Sequence, residues 1–196
     1  LRFFDPEMQA AVVERVALEV DLIRALAENQ FRLYFQLQAN HDRQAIGAEV
    51  LLRWEHPERG LVSPLEFIPL AEETKLILPI GMWVLETACA QLKIWQDIPE
   101  FQYLQLAVNV SAHQFHDNCF VEQVCAALEK HAIKPERLKL ELTESLVLDN
   151  IDDTIIKMLE LKKIGVHFSM DDFGTGFSSL AYLTQLPLDQ LKIDQS

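Results

Sequence analysis

Hydrophobic residues recur along the chain in two rhythms, one typical of amphipathic helices and one typical of buried strands. The helical rhythm fills residues 1–29. Its apolar positions follow one another at Met8, Val12, Val16, Val20, Ile23 and Leu26. Asp5 is a suitable N-cap, and Pro6 suits the first helical position. The pattern predicts one long helix, which either packs on its own domain or connects it to a preceding domain.

The second rhythm consists of short apolar runs that are bounded by polar or turn-forming residues. These runs predict six strands, at residues 30–40, 45–54, 104–111, 138–144, 166–173 and 189–194. Helical spacing predicts five further helices, at residues 65–74, 79–96, 118–132, 149–163 and 178–183. After a first hairpin, strands and helices alternate, which is typical of a mostly parallel sheet flanked by helices.

Polar side chains stand at the C-terminal ends of several predicted strands. They are Asn109, Glu144, Asp171, Asp172, Lys192 and Asp194. An open doubly wound sheet concentrates its ligand groups at one crossover point, whereas a closed barrel points every strand end towards one axis. Contributions from nearly every strand therefore favour an α/β barrel with its site at the C-terminal ends of the strands.

Composition and charge narrow the class of ligand. Hydrophobic residues make up 49% of the 196 residues, which is enough for a sizeable core. The net charge of −13 argues against binding a nucleic-acid polymer, because no basic surplus is present to release counterions from phosphates. An anionic ligand would need divalent cations to offset the repulsion.

The cysteines and the longest apolar runs bear on the compartment. Cys89, Cys119 and Cys125 form no CxxC pair, and their odd number suits a reducing compartment. No signal peptide is visible, and no apolar run approaches the roughly 20 residues of a membrane span. We expect a cytoplasmic domain, and the sequence leaves open a membrane anchor in the parent protein. The chain begins at Leu1 and stops inside a predicted strand, as an excerpt from a longer protein would.

Five side chains in or near the strand ends offer hard oxygen donors. They are Glu49, Asn109, Glu141, Asp171 and Asp172. Such donors suit Mg²⁺ or Mn²⁺ better than zinc. The two adjacent aspartates can each reach a different ion, which would hold a pair of ions about 3.5–4 Å apart. Lys192 would then orient a water or stabilise charge on a phosphate.

The residue pattern alone leaves other interpretations open. Acidic residues at strand ends also occur without a metal, and a metal on a barrel can serve phosphodiester hydrolysis, enolisation or another metal-assisted reaction. His113 and His116 form a weak metal pair without a third ligand, so we interpret them as polar surface residues. The chain has no P-loop, GxSxG or GxGxxG motif that would favour a different chemistry.

Seven short motifs follow one another along the chain. They are AEVLLRW at residues 48–54, RGLVSP at 59–64, FIPLAE at 67–72, NVS at 109–111, ELTES at 141–145, DDFGTG at 171–176 and KID at 192–194. In order and approximate spacing they resemble the EAL domain, the cyclic di-GMP phosphodiesterase module of bacterial signalling proteins. The resemblance implies a modified TIM (β/α)8-type barrel with an antiparallel first strand, of which residues 30–196 would hold about six of eight strands.

The resemblance also implies a reaction, which is hydrolysis of cyclic di-GMP to linear pGpG with two Mg²⁺ or Mn²⁺ ions. By position in the motifs, the metal ligands would be Glu49, Asn109, Glu141, Asp171 and Asp172. Lys192 would help to hold the nucleophilic water, with Asp172 also in the catalytic group. Glu144 would anchor the loop at residues 173–179, and that loop would couple metal binding to dimerisation.

Four further residues would contact the dinucleotide according to the resemblance. They are Gln36, Leu51, Arg53 and Asp194, with Arg53 at a phosphate and Asp194 at a guanine edge. The chain departs from the family pattern in two places. Val50 replaces the usual Ala, and Leu37 replaces the Pro that usually follows Gln36. The second change lies next to a predicted ligand contact.

Partners and the expected activity follow from the same resemblance. Residues 2–8 resemble the segment that joins a GGDEF domain to an EAL domain, so residues 1–29 are expected to be a linker helix from a GGDEF-like or sensor domain. We expect a homodimer and an active phosphodiesterase in the parent protein. The alternative is a non-catalytic cyclic di-GMP receptor or regulatory module. For the 196 residues themselves we expect impaired hydrolysis, because the family's domain continues with two more strands and another catalytic Glu.

Overall fold

One curved sheet organises the protein in the computed structural model, which describes residues 6–173 and 183–193. Its strands are β1 (Phe31–Ala39), β2 (Ala45–His56), β3 (Gly60–Val62), β4 (Gln105–Asn109), β5 (Leu138–Thr143), β6 (His167–Phe173) and β7 (Gln190–Ile193). The main path runs in the order β1-β2-β4-β5-β6-β7, with β3 paired to β2 beside it. β1 is antiparallel to β2, and every later pair along the path is parallel. The predicted barrel-like fold with an antiparallel first strand is confirmed.

Helices follow the strands in the alternation that the sequence predicts. They are α1 (Pro6–Ala27), α2 (Pro64–Glu73), α3 (Ile77–Gln96), α4 (Ala112–Phe115), α5 (Phe120–His131), α6 (Glu144–Asp149) and α7 (Ile151–Ile164), with a 3₁₀ turn at Pro135–Arg137. Local signals set two of their ends. Ser63 Oγ accepts a hydrogen bond from the backbone N–H of Leu65 at the start of α2. Gly165 ends α7 at a φ of 109°, which a residue with a side chain rarely adopts.

Four short elements among the described residues were not predicted from the sequence. They are β3, α4, the 3₁₀ turn and α6, of three, four, three and six residues. None is long enough to show a hydrophobic period. Asp5 and most of the predicted helix at residues 178–183 lie outside the described residues.

The two faces of the sheet have opposite chemical character. Alternate residues of a strand point to opposite faces. On β5, Leu138, Leu140 and Leu142 are fully buried in the hydrophobic core. The residues between them, Lys139 and Glu141, point into the concave side. We call these the helix-covered face and the concave face.

Aromatic side chains close one end of the helix-covered face. The Phe31 ring centroid lies 6.1 Å from that of Trp54, 6.0 Å from that of Phe67 and 5.9 Å from that of Trp83. Trp54 Nε1 donates to Gln30 Oε1 at 2.9 Å, so its one polar atom is satisfied. This cluster ties the β1–β2 hairpin to α2 and α3.

Curvature brings distant strands of the sheet together across the concave face. β1 and β7 form the two ends of the strand path, and they do not pair within the described residues. Nevertheless Lys139 Nζ on β5 reaches Gln38 Oε1 on β1 at 3.3 Å and Gln190 Oε1 on β7 at 2.8 Å. The sheet is therefore TIM-barrel-like but not closed, and its interior is lined by polar groups that contact one another.

Helix α3 is apolar enough, by length and composition, to cross a membrane. Eight of its residues are buried in the domain. Glu86 in its middle accepts hydrogen bonds from Lys130 at 2.8 Å and contacts His131 at 2.9 Å, both on α5. A core helix of a folded domain passes the same test, so α3 is weak evidence for a membrane span.

Candidate metal centre and ligand cavity

The concave face collects acidic side chains at the C-terminal ends of its strands. The strand register places these side chains at similar heights along the sheet. Asn109 lies beside Glu141, and Glu141 lies beside Ser169, in neighbouring parallel strands. Glu49 on β2 lies beside Ala107, two residues before Asn109. The strands therefore deliver these side chains from separate parts of the sequence to one place.

Lys192 on β7 lies at the centre of this group. Its Nζ is 2.6 Å from Glu141 Oε2, 3.0 Å from Glu49 Oε2 and 3.4 Å from Asp171 Oδ2. One oxygen from each of the three carboxylates lies within 4.8 Å of the other two. We call Glu49, Glu141 and Asp171 the carboxylate cluster. Its members come from β2, β5 and β6, and one ammonium group touches all three.

Neighbouring polar groups orient two of these carboxylates. Asn109 Nδ2 donates to Glu49 Oε1 at 3.1 Å. Ser169 Oγ donates to Glu141 Oε1 at 3.1 Å, and Ser169 is itself buried. Each of the two glutamates thus has one oxygen fixed by a hydrogen bond and the other directed towards Lys192. Such support holds charged groups in one geometry.

Burial and charge pairing together shift the pKa values of Glu141 and Lys192. Desolvation raises the pKa of Glu141, and the hydrogen bond and charge of Lys192 act against that rise. For Lys192, burial acts to lower the pKa, but its hydrogen bonds and charge interactions with Glu141 and Glu49 outweigh burial, so the pKa of Lys192 is raised. The raised pKa of Lys192 favours its ammonium form, which is paired with the carboxylates of the cluster.

The donor set fits a hard divalent cation. Three carboxylates and the amide of Asn109 converge, and they offer oxygen donors of the kind that Mg²⁺ and Mn²⁺ prefer. No His or Cys is among the described residues of the cluster. The arrangement is suited to hold a cation and to place it against a phosphate at the mouth of the barrel.

A cavity of about 320 Å³ opens at the same end of the sheet. Its wall includes Leu51, Arg53 and Asn109, and the rest is largely apolar, with Ile68 and Ile80 among the lining residues. Asn109 belongs both to this wall and to the acidic group, so the cavity adjoins the carboxylate cluster. A small ligand that enters the cavity would reach the cluster with one end.

The β1–β2 hairpin carries three of the predicted ligand contacts, of which Leu51 and Arg53 line the cavity and Gln36 lies on β1. Gln36 lies opposite Glu49 in the antiparallel register, so it is on the concave face. The guanidinium of Arg53 donates to the Leu52 carbonyl at 2.9 Å and lies 5.6 Å from the centre of the Tyr34 ring. This contact holds the Arg53 cation over an aromatic face.

The remaining predicted site residues are Glu144, Asp172 and Asp194, together with the predicted coupling loop. Glu144 is the first residue of α6 and is buried, directly after the end of β5. The Asp172 side chain, residues 174–179 of the predicted coupling loop, and Asp194 lie outside the described residues. The roles assigned to all of these residues stay predictions.

Sequence reasoning missed several polar residues of the concave face, among them Ser169, Lys139 and Tyr34. Ser169 and Lys139 each lie two positions from a predicted ligand on the same strand, so strand alternation could have indicated both of them. Tyr34 needed the register of the hairpin, which places it opposite Leu51.

Comparison with known proteins identifies the family. The family model described as "EAL domain" matches residues 19–196. The chain belongs to the EAL domain family. It is 44% identical over 194 residues to a Pseudomonas aeruginosa protein, the bifunctional diguanylate cyclase/cyclic di-GMP phosphodiesterase MucR, covering 98% of this chain and 28% of MucR. It is 39% identical over 196 residues to the cyclic di-GMP phosphodiesterase NbdA of the same organism, covering 100% of this chain and 25% of NbdA.

A solved structure agrees with this EAL domain in fold. The PaMucR phosphodiesterase in complex with c-di-GMP superposes with a TM-score of 0.87 at 45% identity, covering 91% of this chain and 72% of that one. The chain spans about a quarter of the length of the curated relatives it matches. The family and the fold of the chain are thus established.

Proposed function

We propose that this EAL domain takes part in metal-dependent hydrolysis of cyclic di-GMP to linear pGpG in bacterial second-messenger signalling. The observation that carries the proposal is the convergence of Glu49, Glu141 and Asp171 beside a cavity that Arg53 and Asn109 line. Two relatives named as cyclic di-GMP phosphodiesterases and a c-di-GMP complex of a similar structure support the choice of substrate.

The proposed cofactor is a pair of Mg²⁺ or Mn²⁺ ions. The residues that would hold them are Glu49, Asn109, Glu141, Asp171 and Asp172. When bound, the ions would supply Lewis-acid activation of the phosphodiester and of the water nucleophile. They would also link an acidic protein of net charge −13 to an anionic substrate, which otherwise repel each other.

The residues of the chain would act around this centre in distinct ways. Lys192 carries its ammonium among the carboxylates and would orient the attacking water or the phosphate. Arg53, held over Tyr34, would bind a phosphate of the dinucleotide. Leu51 provides an apolar wall, and Gln36 is positioned across the hairpin from Glu49. Asp194 would read a guanine edge.

A second candidate function is a non-catalytic cyclic di-GMP receptor or regulatory module. One observation favours it, because Lys192 already lies within 3.4 Å of all three carboxylates. An internal cation offsets part of the negative charge of the cluster without a metal, and Arg53 at the cavity would contact a phosphate of a bound nucleotide. The two functions differ in turnover and not in ligand.

The proposed partners and location follow from the same family membership. We propose a homodimer, a GGDEF or sensor domain in the same protein, and a cytoplasmic location, with or without a membrane anchor elsewhere. The name of MucR, which pairs a diguanylate cyclase with a phosphodiesterase, supports the GGDEF partner. The expected division into a linker helix at residues 1–29 and a barrel domain at 30–196 stays a prediction.

Nucleotide product analysis distinguishes the two candidate functions. The whole protein that contains this chain is incubated with cyclic di-GMP and Mg²⁺ or Mn²⁺, and the products are separated by chromatography. We expect linear pGpG, and we expect its formation to stop when EDTA removes the metal. Binding of cyclic di-GMP with complete recovery of the intact dinucleotide would favour the receptor and reject the hydrolase.

A further inference from the structure

Helix α1 is fixed to its own domain by one face. Leu22 and Ala25 on that face are completely buried. Asp21 Oδ2 lies 3.2 Å from His56 Nε2, and Arg15 pairs with Glu73 on α2. The helix therefore cannot turn about its axis without breaking these contacts, and its opposite face has a defined direction.

The opposite face of α1 carries a stripe of exposed apolar side chains. The stripe consists of Val13, Val16, Val20 and Ile23, with exposed fractions between 44% for Val20 and 62% for Val13. Their spacing is three, four and three residues, and Ala27, also exposed, continues it four residues later. This is the spacing of the a and d positions of a coiled coil, in which Val13, Val20 and Ala27 take a and the other two take d.

Charged residues flank the stripe in a complementary way. In this frame Glu19 takes a g position and Arg24 takes the following e position. In a parallel pair of helices a g residue faces the e′ residue five positions later on the partner helix. Glu19 of each copy would thus meet Arg24 of the other. An antiparallel pair would bring like charges together, because g then faces g′ and e faces e′.

We propose that the α1 stripe is an interface for α1 of a second copy of this chain, in a parallel two-stranded coiled coil. The seam is self-complementary in both its apolar spacing and its flanking charges, which a second copy satisfies without further assumptions. Val at the a positions is compatible with a two-stranded assembly. The seam would assign a surface to the homodimer proposed above, and it does not depend on the proposed hydrolysis.

The arrangement has a consequence for a longer protein. Two α1 helices in parallel place both domains on the same side, with the N-termini of the helices adjacent. If segments before α1 changed their pairing, the movement would be transmitted to both EAL domains through the buried face of α1.

The seam covers only about two heptads, so it buries less surface than a standard interface, and dimerisation should depend on protein concentration.

Sedimentation equilibrium of the full 196-residue chain tests the interface. We expect a concentration-dependent dimer, and we expect Val20→Glu with Ile23→Glu to weaken association about 100-fold or more, because four apolar side chains lose their burial. The matched control is Ile156→Glu with Leu159→Glu, which adds the same charges at the same spacing on exposed positions of α7. Circular dichroism melts of both variants verify that the fold persists.

Charge reversal and a cysteine cross-link test the parallel orientation. Glu19→Arg should weaken the dimer, and adding Arg24→Glu to it should restore the dimer. With Cys119 and Cys125 replaced by Ser, Val16→Cys should form an interchain disulfide under mild oxidation, whereas Ile156→Cys should not.

The outcomes separate the interface from the proposed function. A dimer that Val20→Glu with Ile23→Glu leaves intact would overturn the α1 interface while keeping the homodimer. A chain that is monomeric at every concentration would overturn both. Formation of pGpG is measured separately in the unsubstituted whole protein, so a failure of the proposed hydrolysis is distinguishable from a failure of the α1 interface.

Discussion

The concave face and the helix-covered face of the sheet are built from alternate residues of the same strands, yet they obey different energetics. On the helix-covered face, Leu138, Leu140 and Leu142 stabilise the fold through burial of apolar surface. On the concave face, Lys139 and Glu141 are buried equally well but cost free energy unless their charges are paired. We therefore expect substitutions on the two faces to have different effects, on stability at the helix-covered face and on activity at the concave face.

Asp171→Asn should produce the largest effect, and it should affect activity alone. We expect turnover of cyclic di-GMP by the whole protein to fall by about 100-fold or more, since even indirect partners of a metal are worth 10–100-fold. The control is Met170→Leu on the same strand, a buried core position where a volume-conserving change should leave turnover nearly unchanged. Turnover by Asp171→Asn close to that of the wild type would show that the carboxylate cluster is structural.

Leu140→Ala should have the opposite profile, with a loss of stability. A completely buried Leu on the helix-covered face leaves a cavity on truncation, so we expect the free energy of unfolding to fall by about 2–5 kcal/mol. Urea denaturation measures this change. Leu159→Ala at an exposed position of α7 is the matched control and should change stability by under about 1 kcal/mol. Equal decreases in the free energy of unfolding for the two variants would contradict the assignment of Leu140 to the core.

Lys192→Met should destabilise the concave face in a way that metal can repair. Without its ammonium group, Glu49, Glu141 and Asp171 repel one another, and we expect a loss of about 2 kcal/mol in EDTA because the site is partly buried. Added Mg²⁺ should restore more stability to this variant than to the wild type. The urea midpoints with EDTA and with Mg²⁺ give the answer, and a failure of Mg²⁺ to stabilise either protein would reject the metal centre.

Asp189 should show the smallest effect, a dependence of stability on pH at the rim of the sheet. Partial burial acts to raise the pKa of Asp189, but the hydrogen bonds from Lys162 at 2.5 Å and the Phe168 N–H at 2.8 Å, together with the charge of His167, outweigh it and lower the pKa. A lowered pKa contributes stability that is present above the unfolded value of about 3.9 and is lost as pH falls through the folded value.

Asp189→Asn tests this contribution. The variant should be slightly less stable than the wild type at neutral pH, by under about 1 kcal/mol at this partly exposed site. The difference should shrink as the pH falls below about 4. Thermal melts across that range measure it, and a constant difference between the proteins would mean that the Asp189 charge has no part in the effect.

The order of the main strands and helices could be predicted from the sequence because each long element repeats a local pattern. The β5 run alternates, and α7 has helical spacing with a Gly at its end. Elements such as β3 and α4 could not be predicted, because three or four residues show no period. The contacts of Lys139 with Gln38 and Gln190 depend on the curvature of the whole sheet, which no local pattern encodes.

For the candidate site, too, some features could be predicted from local sequence and others depend on the folded structure. The positions of Asn109 and Asp171 at predicted strand ends indicated a common location, and the EAL resemblance assigned the roles. The central position of Lys192, the hydrogen bond from Ser169 and the contact of Arg53 with Tyr34 required the strand register and the folded distances. Sequence therefore indicated the type of site, and the fold supplied its internal support.

Direct binding of Mn²⁺ is the measurement that tests the carboxylate cluster as a metal centre most directly. Electron paramagnetic resonance counts free Mn²⁺ in titrations of the whole protein that contains this chain, with and without cyclic di-GMP. We predict bound Mn²⁺ that is displaced by Mg²⁺ and is strongly reduced by Asp171→Asn or Glu141→Gln, while Leu159→Ala binds as the wild type does. Equal Mn²⁺ binding by the wild type and both cluster variants would contradict the account.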